Sequence, residues 1–169
     1  MSLFNRRQIV SALAVLPLGA CMFKPAYGPG EPALALSGKV LVADPPDKNS
    51  FDFFQRLSNR LGIPTVPLYR LNYGLSTSIA NVGISQANVL TRFNVLGAVS
   101  WSLLDLTGNQ IVASGNVNNF SSYSSTGSTV AELAAKEDAN LRLMRMLADQ
   151  VLLEMIPNSQ KLPKLQGRP

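Results

Sequence analysis

Between residues 36 and 157, apolar positions recur at two different spacings, which predict six elements in the order β-α-β-β-β-α. Two helices separated by three strands can lie side by side on one face of a four-stranded, largely antiparallel sheet. The pattern therefore predicts an α+β fold, a two-layer sandwich. The other face of the sheet is left to meet water or a partner.

The first helix is predicted from Phe51 to Leu61, after a short strand at residues 39–43. Asn49 or Ser50 is the expected N-cap, and Gly62 is the expected stop. Three apolar side chains share one face of this helix and are expected to pack inward: Phe54, Leu57 and Leu61.

Strict alternation predicts the middle strands, at residues 65–76, 89–105 and 110–120, with a small-residue linker at 79–87 and a turn at 107–109. One face of the longest strand is expected to point toward the helices: Phe93, Val95, Gly97, Val99, Trp101 and Leu103. The opposite face mixes serine, asparagine, alanine and leucine. Because this mixture is too apolar for a wetted surface and too polar for a core, we interpret it as a contact surface.

A serine-rich loop at residues 121–128 leads into the last helix, which is predicted over residues 129–156 with Ser128 or Thr129 as N-cap and Pro157 as its end. Its apolar positions fall three and four residues apart, as on a buried helix face: Val130, Leu133, Ala134, Leu141, Met144, Leu147, Ala148, Val151, Leu152 and Met155. Residues 158–169 are polar and basic, and we expect them to be disordered.

The N-terminus has the layout of a bacterial export signal. Two arginines precede an apolar run from Ile9 to Leu18, which falls well short of the roughly 20 residues that span a bilayer. Cys21 directly follows Leu18-Gly19-Ala20, the pattern of a lipobox. We expect cleavage after residue 20, acyl chains on Cys21 and an extended tether over residues 21–35. The competing interpretation is a plain cleaved signal followed by a chance cysteine.

The composition narrows the chemistry available to the mature chain. It has no histidine, and Cys21 is the only cysteine, so we expect no metal site and no cofactor. Without the signal, 13 basic and 10 acidic side chains remain, a smaller charged fraction than the roughly 25% of soluble domains. No paired carboxylates, activated serine or glycine-rich phosphate loop is present, so neither an enzyme nor a nucleic-acid-binding protein is expected.

One short motif resembles a known family. Cys21-Met22-Phe23-Lys24-Pro25-Ala26-Tyr27-Gly28 resembles the opening of the LPS-assembly lipoprotein (LptE) family in its α-proteobacterial style. The element order and the long final helix beginning near residues 131–139 are similar too, so the resemblance covers essentially the whole mature chain. Met22 and Ala26 depart from the usual glycine and leucine of the motif.

The resemblance implies a non-catalytic lipoprotein of the cell outer membrane, facing the periplasm and inserted in a barrel lumen. Such a protein acts as assembly factor and plug of the LptD β-barrel and helps lipopolysaccharide reach the outer leaflet. The expected partners are that barrel, lipopolysaccharide and the membrane, through acyl chains on Cys21. Met22 replaces the aspartate that retains lipoproteins of enteric-type bacteria in the inner membrane, which favours the outer membrane where that sorting rule applies.

An alternative of a different class is an auxiliary lipoprotein of an ATP-driven lipid transporter. Under either function, cations would pair with lipid phosphates. Five basic side chains are the candidates for contact with lipopolysaccharide: Arg70, Arg92, Lys136, Arg142 and Arg145. Ordinary solvated surface charge is the competing interpretation for each of them. Trp101, Phe93 and the apolar stripe of the last helix are expected to belong to the core.

Acylation of Cys21 makes the first prediction. Cys21→Ser should leave the domain folded but move it from the membrane to the soluble periplasmic fraction, because several buried acyl chains hold a protein on a bilayer. Membrane fractionation of the variant and the wild type measures this. An unchanged membrane fraction, or an unmodified native N-terminus, would contradict acylation as the main anchor.

Overall fold

The computed structural model describes residues 36–84, 90–125 and 128–159, and it confirms the predicted order of elements. The strands are β1 (Val40–Val42), β2 (Tyr69–Ile84), β3 (Leu90–Asp105) and β4 (Gln110–Ser124). The helices are α1 (Lys48–Leu61) and α2 (Thr129–Ser159). The export signal, Cys21, the tether and residues 160–169 lie outside the described residues.

The strands form one sheet in the order β1-β2-β3-β4. β1 pairs with β2 in parallel, whereas β2, β3 and β4 pair antiparallel, so the sheet is largely antiparallel as predicted. Both helices cover the same face, which confirms the α+β two-layer sandwich. On β3 the predicted inward positions point to the helices: Val95, Gly97, Val99, Trp101 and Leu103 are buried, and Phe93 is half-buried.

The centre of the core is the contact between α2 and β3. Leu143 and Leu147 are fully buried over Gly97. A Cβ atom at Gly97 would lie 2.8 Å from Leu147 Cδ1 and 3.1 Å from Leu143 Cδ2. The missing side chain therefore sets how closely the helix approaches the sheet. Interiors packed at this density have no room for an added methyl group without displacement.

The helix α1 begins earlier than the sequence predicts. Its N-cap is Asp47, whose Oδ1 accepts a hydrogen bond from Ser50 N at 2.8 Å, so Asn49 and Ser50 lie inside the helix. The aspartate satisfies a free amide of the first turn directly after a proline pair. Gly62 ends the helix as predicted.

The inner face of α1 differs from the prediction at one position, near the start of the helix. Phe53 is buried and Phe54 is only half-buried, while Leu57 and Leu61 are buried as expected. Above this face, Arg56 holds Asp149 of α2 through two hydrogen bonds of 3.0 and 2.8 Å. Both side chains remain about one-third exposed, so the pair orients the two helices more than it stabilises them.

Two strands are longer than predicted, because pairing with β3 continues past the alternating apolar residues. β2 starts at Tyr69 and runs to Ile84, so residues 79–84 are strand and not linker. β4 runs to Ser124, because Ser121 and Tyr123 pair with Val95 and Phe93. The added residues are mostly serines and other small residues, which do not alternate between apolar and polar. The sequence pattern therefore does not indicate that the strands continue, since backbone pairing needs no particular side chain.

The helix α2 starts at Thr129 as predicted, but its end and the burial of its first turns differ from the prediction. It passes Pro157 and ends at Ser159, so the proline lies in the last turn and does not mark the end of the helix. Val130, Leu133 and Ala134 are exposed, although the residues Met144 to Met155 of the stripe form core as predicted. Lys48, the first residue of α1, pairs with Glu137 at 3.0 Å, so the earlier turns of α2 extend past the start of α1.

Gly97→Ala should lower the free energy of unfolding by about 1–3 kcal/mol, because the new methyl group overpacks against Leu143 and Leu147. Gly108→Ala is the matched control, since the nearest atom to its added Cβ is 3.6 Å away. Denaturant unfolding of the two variants and the wild type measures the difference. Equal midpoints for the two variants would show that α2 does not pack this closely on β3.

Candidate functional site

The first candidate surface is the sheet face that points away from the helices, called here the open face. Alternate residues of β2, β3 and β4 line up across it in rows. Five neighbouring rows contain no charged side chain: Asn72-Ser102-Ser114, Gly74-Ser100-Asn116, Ser76-Ala98-Asn118, Ser78-Leu96-Phe120 and Ala80-Asn94-Ser122. The predicted mixture of serine, asparagine, alanine and leucine therefore does occupy one continuous face.

The middle of the open face is a shallow depression of about 500 Å³. Small side chains such as Ser76 and Ala98 form its floor, and Leu96 and Phe120 stand at one end, 40% and 54% exposed. A surface with hydrogen-bonding groups, exposed apolar groups and no charge costs less to desolvate than a charged surface, provided that the partner supplies hydrogen bonds to its polar groups. Depletion of charge is the feature that distinguishes the centres of protein interfaces from ordinary surface.

The second candidate surface lies at the edge of β4, where α2 passes it. We call it the arginine notch, a depression of about 590 Å³ lined by Arg92, Phe120, Ser121, Ser122, Arg142, Arg145 and Met146. Three of the five candidate cations thus line one cavity, together with two large apolar side chains. Phe120 belongs to both the arginine notch and the depression of the open face, so the two surfaces are continuous.

Arg142 is a cation of the arginine notch whose guanidinium group is held by two contacts. Its Nη2 donates a hydrogen bond to the carbonyl oxygen of Ser122 at 3.1 Å, and its Nε pairs with Asp138 Oδ2 at 3.0 Å. The first contact covers part of the free edge of β4, and the second offsets part of the positive charge. Arg92 and Arg145 are exposed, so the notch keeps a positive balance.

Two aromatic side chains pack on each other next to the notch residues Arg92 and Ser122 in the chain, without lining the notch. The rings of Phe93 and Tyr123 stack with their centroids 5.1 Å apart. Burial raises the pKa of Tyr123, and the charge of Glu132 acts in the same direction. Tyr123 is therefore uncharged at neutral pH, and it does not line the notch.

The two other candidate cations lie elsewhere. Arg70 pairs across the sheet with Leu104 and lies on β2 at the opposite end of the open face from Arg92, about 40 Å away along β3. Lys136 is a half-buried residue of α2 and does not line the arginine notch. Phe120 and Met146 are notch residues that no sequence pattern indicated, because only the packing of α2 beside β4 brings them together.

The described ranges contain neither a metal-binding cluster nor a helix that could span a membrane. Within residues 36–84, 90–125 and 128–159, no three or more His, Cys, Asp or Glu side chains are placed to hold a metal ion. No helix in those same ranges is both long enough and apolar enough to cross a membrane.

Comparison with known proteins identifies solved structures with a similar fold. No protein-family model matches the chain, and no curated protein matches it. A candidate lipoprotein from Caulobacter crescentus CB15 has a similar structure, with a TM-score of 0.61 and 22% identity over 78% of this chain and 98% of the other. The rare lipoprotein B of Shewanella oneidensis gives a TM-score of 0.57 at 12% identity, over 73% and 96%.

An uncharacterized lipoprotein B from Nitrosomonas europaea also has a TM-score of 0.57, at 14% identity over 82% of this chain and 92% of the other. Each of these proteins is covered almost completely by the chain. At these identities the likeness shows the fold alone. The chain therefore shares the fold of these lipoproteins, with the element order that the sequence predicts.

Proposed function

We propose that this chain is a non-catalytic LptE-type lipoprotein of the outer membrane, which plugs an LptD-type β-barrel, assists its assembly and takes part in lipopolysaccharide transport. The observation that carries the proposal is the uncharged open face, continuous with a cationic notch, on a fold shared with lipoproteins. Acyl chains on Cys21 would hold the domain at the membrane where the barrel is assembled.

The open face suits the wall of a β-barrel lumen. Such a wall is a sheet whose inward-pointing side chains alternate and are polar. The small side chains of Gly74, Ser76 and Ser100 would let a second sheet approach closely, and the serine and asparagine side chains would supply hydrogen bonds. Because the rows contain no charge, covering them leaves no unpaired buried ion.

The arginine notch suits the chemistry of lipopolysaccharide, which combines phosphate groups with acyl chains. The guanidinium groups of Arg92, Arg142 and Arg145 would bind phosphate oxygens through charge-assisted hydrogen bonds. Phe120 and Met146 would contact apolar chains in the same depression. The notch lies at the edge of the open face, so a lipid bound there would lie beside the barrel wall that the open face contacts.

Ala98→Arg should remove the chain from its barrel complex. Ala98 is exposed in the middle row of the open face, and an arginine there would be buried without a partner at a cost of about 3–5 kcal/mol. Leu153→Arg is the matched control, because Leu153 lies on α2 and is 67% exposed. Affinity purification from membranes in mild detergent, with mass identification of the partner, measures the complex.

Two outcomes of that purification would contradict the proposal at different points. Wild-type chain that is stable and carries no barrel protein would overturn the assignment to the barrel complex. Retention of the barrel by Ala98→Arg, as by Leu153→Arg, would show that the contact lies on another surface.

The arginine notch makes a separate prediction about lipopolysaccharide. Arg92→Glu with Arg145→Glu should weaken binding of purified lipopolysaccharide by about tenfold or more, because each lost charge-assisted hydrogen bond contributes about 1.5–3 kcal/mol. Arg70→Glu changes a charge at the far end of the sheet and should bind within about twofold of wild type. Titration with a fluorescent lipopolysaccharide measures the affinities. Equal losses at both places would indicate general electrostatic attraction and no notch.

A further inference from the structure

The strand β2 has a long outer edge that no described strand covers. β1 pairs only with residues Tyr69 to Leu71, and β2 continues from Asn72 to Ile84. On its inner side β2 pairs with β3 along this whole length. The stretch from residue 72 to residue 84 is called here the β2 edge.

The direction of the backbone groups follows from the pairing with β1. Ala43 N donates to Leu71 O at 2.9 Å, so the N–H and C=O groups of Leu71 point toward the β1 side. Since strand residues alternate, the same groups of five further residues point outward from the β2 edge: Tyr73, Leu75, Thr77, Ile79 and Asn81. No hydrogen bond from these outward groups to another described residue is present.

The β2 edge has an irregularity of the β-bulge type after Asn81, but its regular part, from Asn72 to Asn81, lacks the other features that protect free edges. Natural sheets place charges, prolines or covering elements there, because an exposed edge is a template for another strand. No charged residue or proline occurs between Leu71 and Ile84. The β4 edge differs, since Arg142 of α2 donates a hydrogen bond to Ser122 O. Ile79 and Val82 are 46% and 50% exposed, so the β2 edge also carries apolar side chains in water.

We propose that the β2 edge pairs antiparallel with the β2 edge of a second copy of this chain, about a two-fold axis at Ile79. In this register Ile79 lies opposite Ile79 of the other copy, and Thr77 lies opposite Asn81. On the open face Ser78 lies opposite Ala80, so small side chains meet there. Apolar contact at the axis and backbone hydrogen bonds beside it make the edge self-complementary.

β1 on one side and the irregularity after Asn81 on the other limit where the axis can lie. β1 already occupies the edge at Tyr69–Leu71, so an axis nearer to those residues would drive the second copy against β1. An axis at Ile79 centres the regular pairs on Thr77 to Asn81, clear of β1 and ahead of the irregularity that follows Asn81. The dimer uses neither the open face nor the arginine notch and does not depend on the proposed function. It would cover the β2 edge in copies that have no other partner.

Disulfide trapping of the full chain, purified in detergent, tests the register. In Ile79→Cys the two Cα atoms would lie about 5.5 Å apart, as in a hydrogen-bonded antiparallel pair, and within the range of a disulfide. In Thr77→Cys the two cysteines would lie roughly 13 Å apart along the strands, beyond that range. Oxidation followed by non-reducing electrophoresis should convert I79C largely to a covalent dimer. T77C and the wild type, which carry the same Cys21, should stay monomeric.

A proline variant tests whether backbone pairing holds the dimer. The N–H of Thr77 points outward and bonds to nothing within the described part of the chain, so Thr77→Pro blocks pairing while the β2–β3 ladder stays intact. The double variant I79C/T77P should give at least about tenfold less covalent dimer than I79C, because two intermolecular hydrogen bonds are lost. Its thermal midpoint should stay close to that of I79C.

Light scattering tests the dimer in the wild-type chain, without any substitution. The polypeptide mass should approach two chains at high concentration and fall to one chain on dilution. A mass of one chain at every concentration would overturn the dimer. Equal crosslinking of I79C and T77C would overturn it too, as would an undiminished dimer in I79C/T77P.

Discussion

The closeness of α2 to the sheet at Gly97 is the constraint from which the other surfaces follow. Leu143 and Leu147 occupy the space that a side chain at residue 97 would take, and the apolar stripe of α2 then buries the helix-facing side of β3 and β4. α1 fills the remaining part of that side over β1 and the start of β2. Both helices are thereby committed to one face, and nothing in the described chain covers the other.

One-sided packing separates two kinds of surface on a small domain. The helix layer carries the ion pairs, including Arg56 with Asp149 and Lys48 with Glu137. The open face carries uncharged side chains over five rows, and all but Leu96 and Phe120 are small or polar. Exposed ion pairs add little stability. Their position on the helix layer is important because it leaves the open face uncharged. That uncharged surface is the part of the molecule best suited to a protein partner.

The arginine notch depends on the crossing of α2 beside β4. Arg142 and Arg145 come from the helix, Arg92 comes from β3 and Phe120 comes from β4. Arg142 also covers a carbonyl of the β4 edge, so one side chain both shields the edge and adds charge to the notch. No described helix lies beside the β2 edge. The helix α1, which begins at Lys48, covers only the first part of β2. The two edges of the sheet therefore differ in how they can meet another chain.

The periodicity of apolar residues was sufficient to determine the element order, the fold class, the inward face of β3 and the buried part of α2. Burial of alternate or every third and fourth residue is a local requirement that the sequence records directly. Other features depend instead on which element lies opposite. These are the ends of β2 and β4, the exposure of Val130 and Leu133, and the burial of Phe53 in place of Phe54. Likewise, five similar basic residues were indistinguishable in the sequence, and only the fold brought three of them to one cavity and placed Arg70 at the far end of the sheet. Distances between residues remote in sequence are set by packing, and packing has no local signature in the chain.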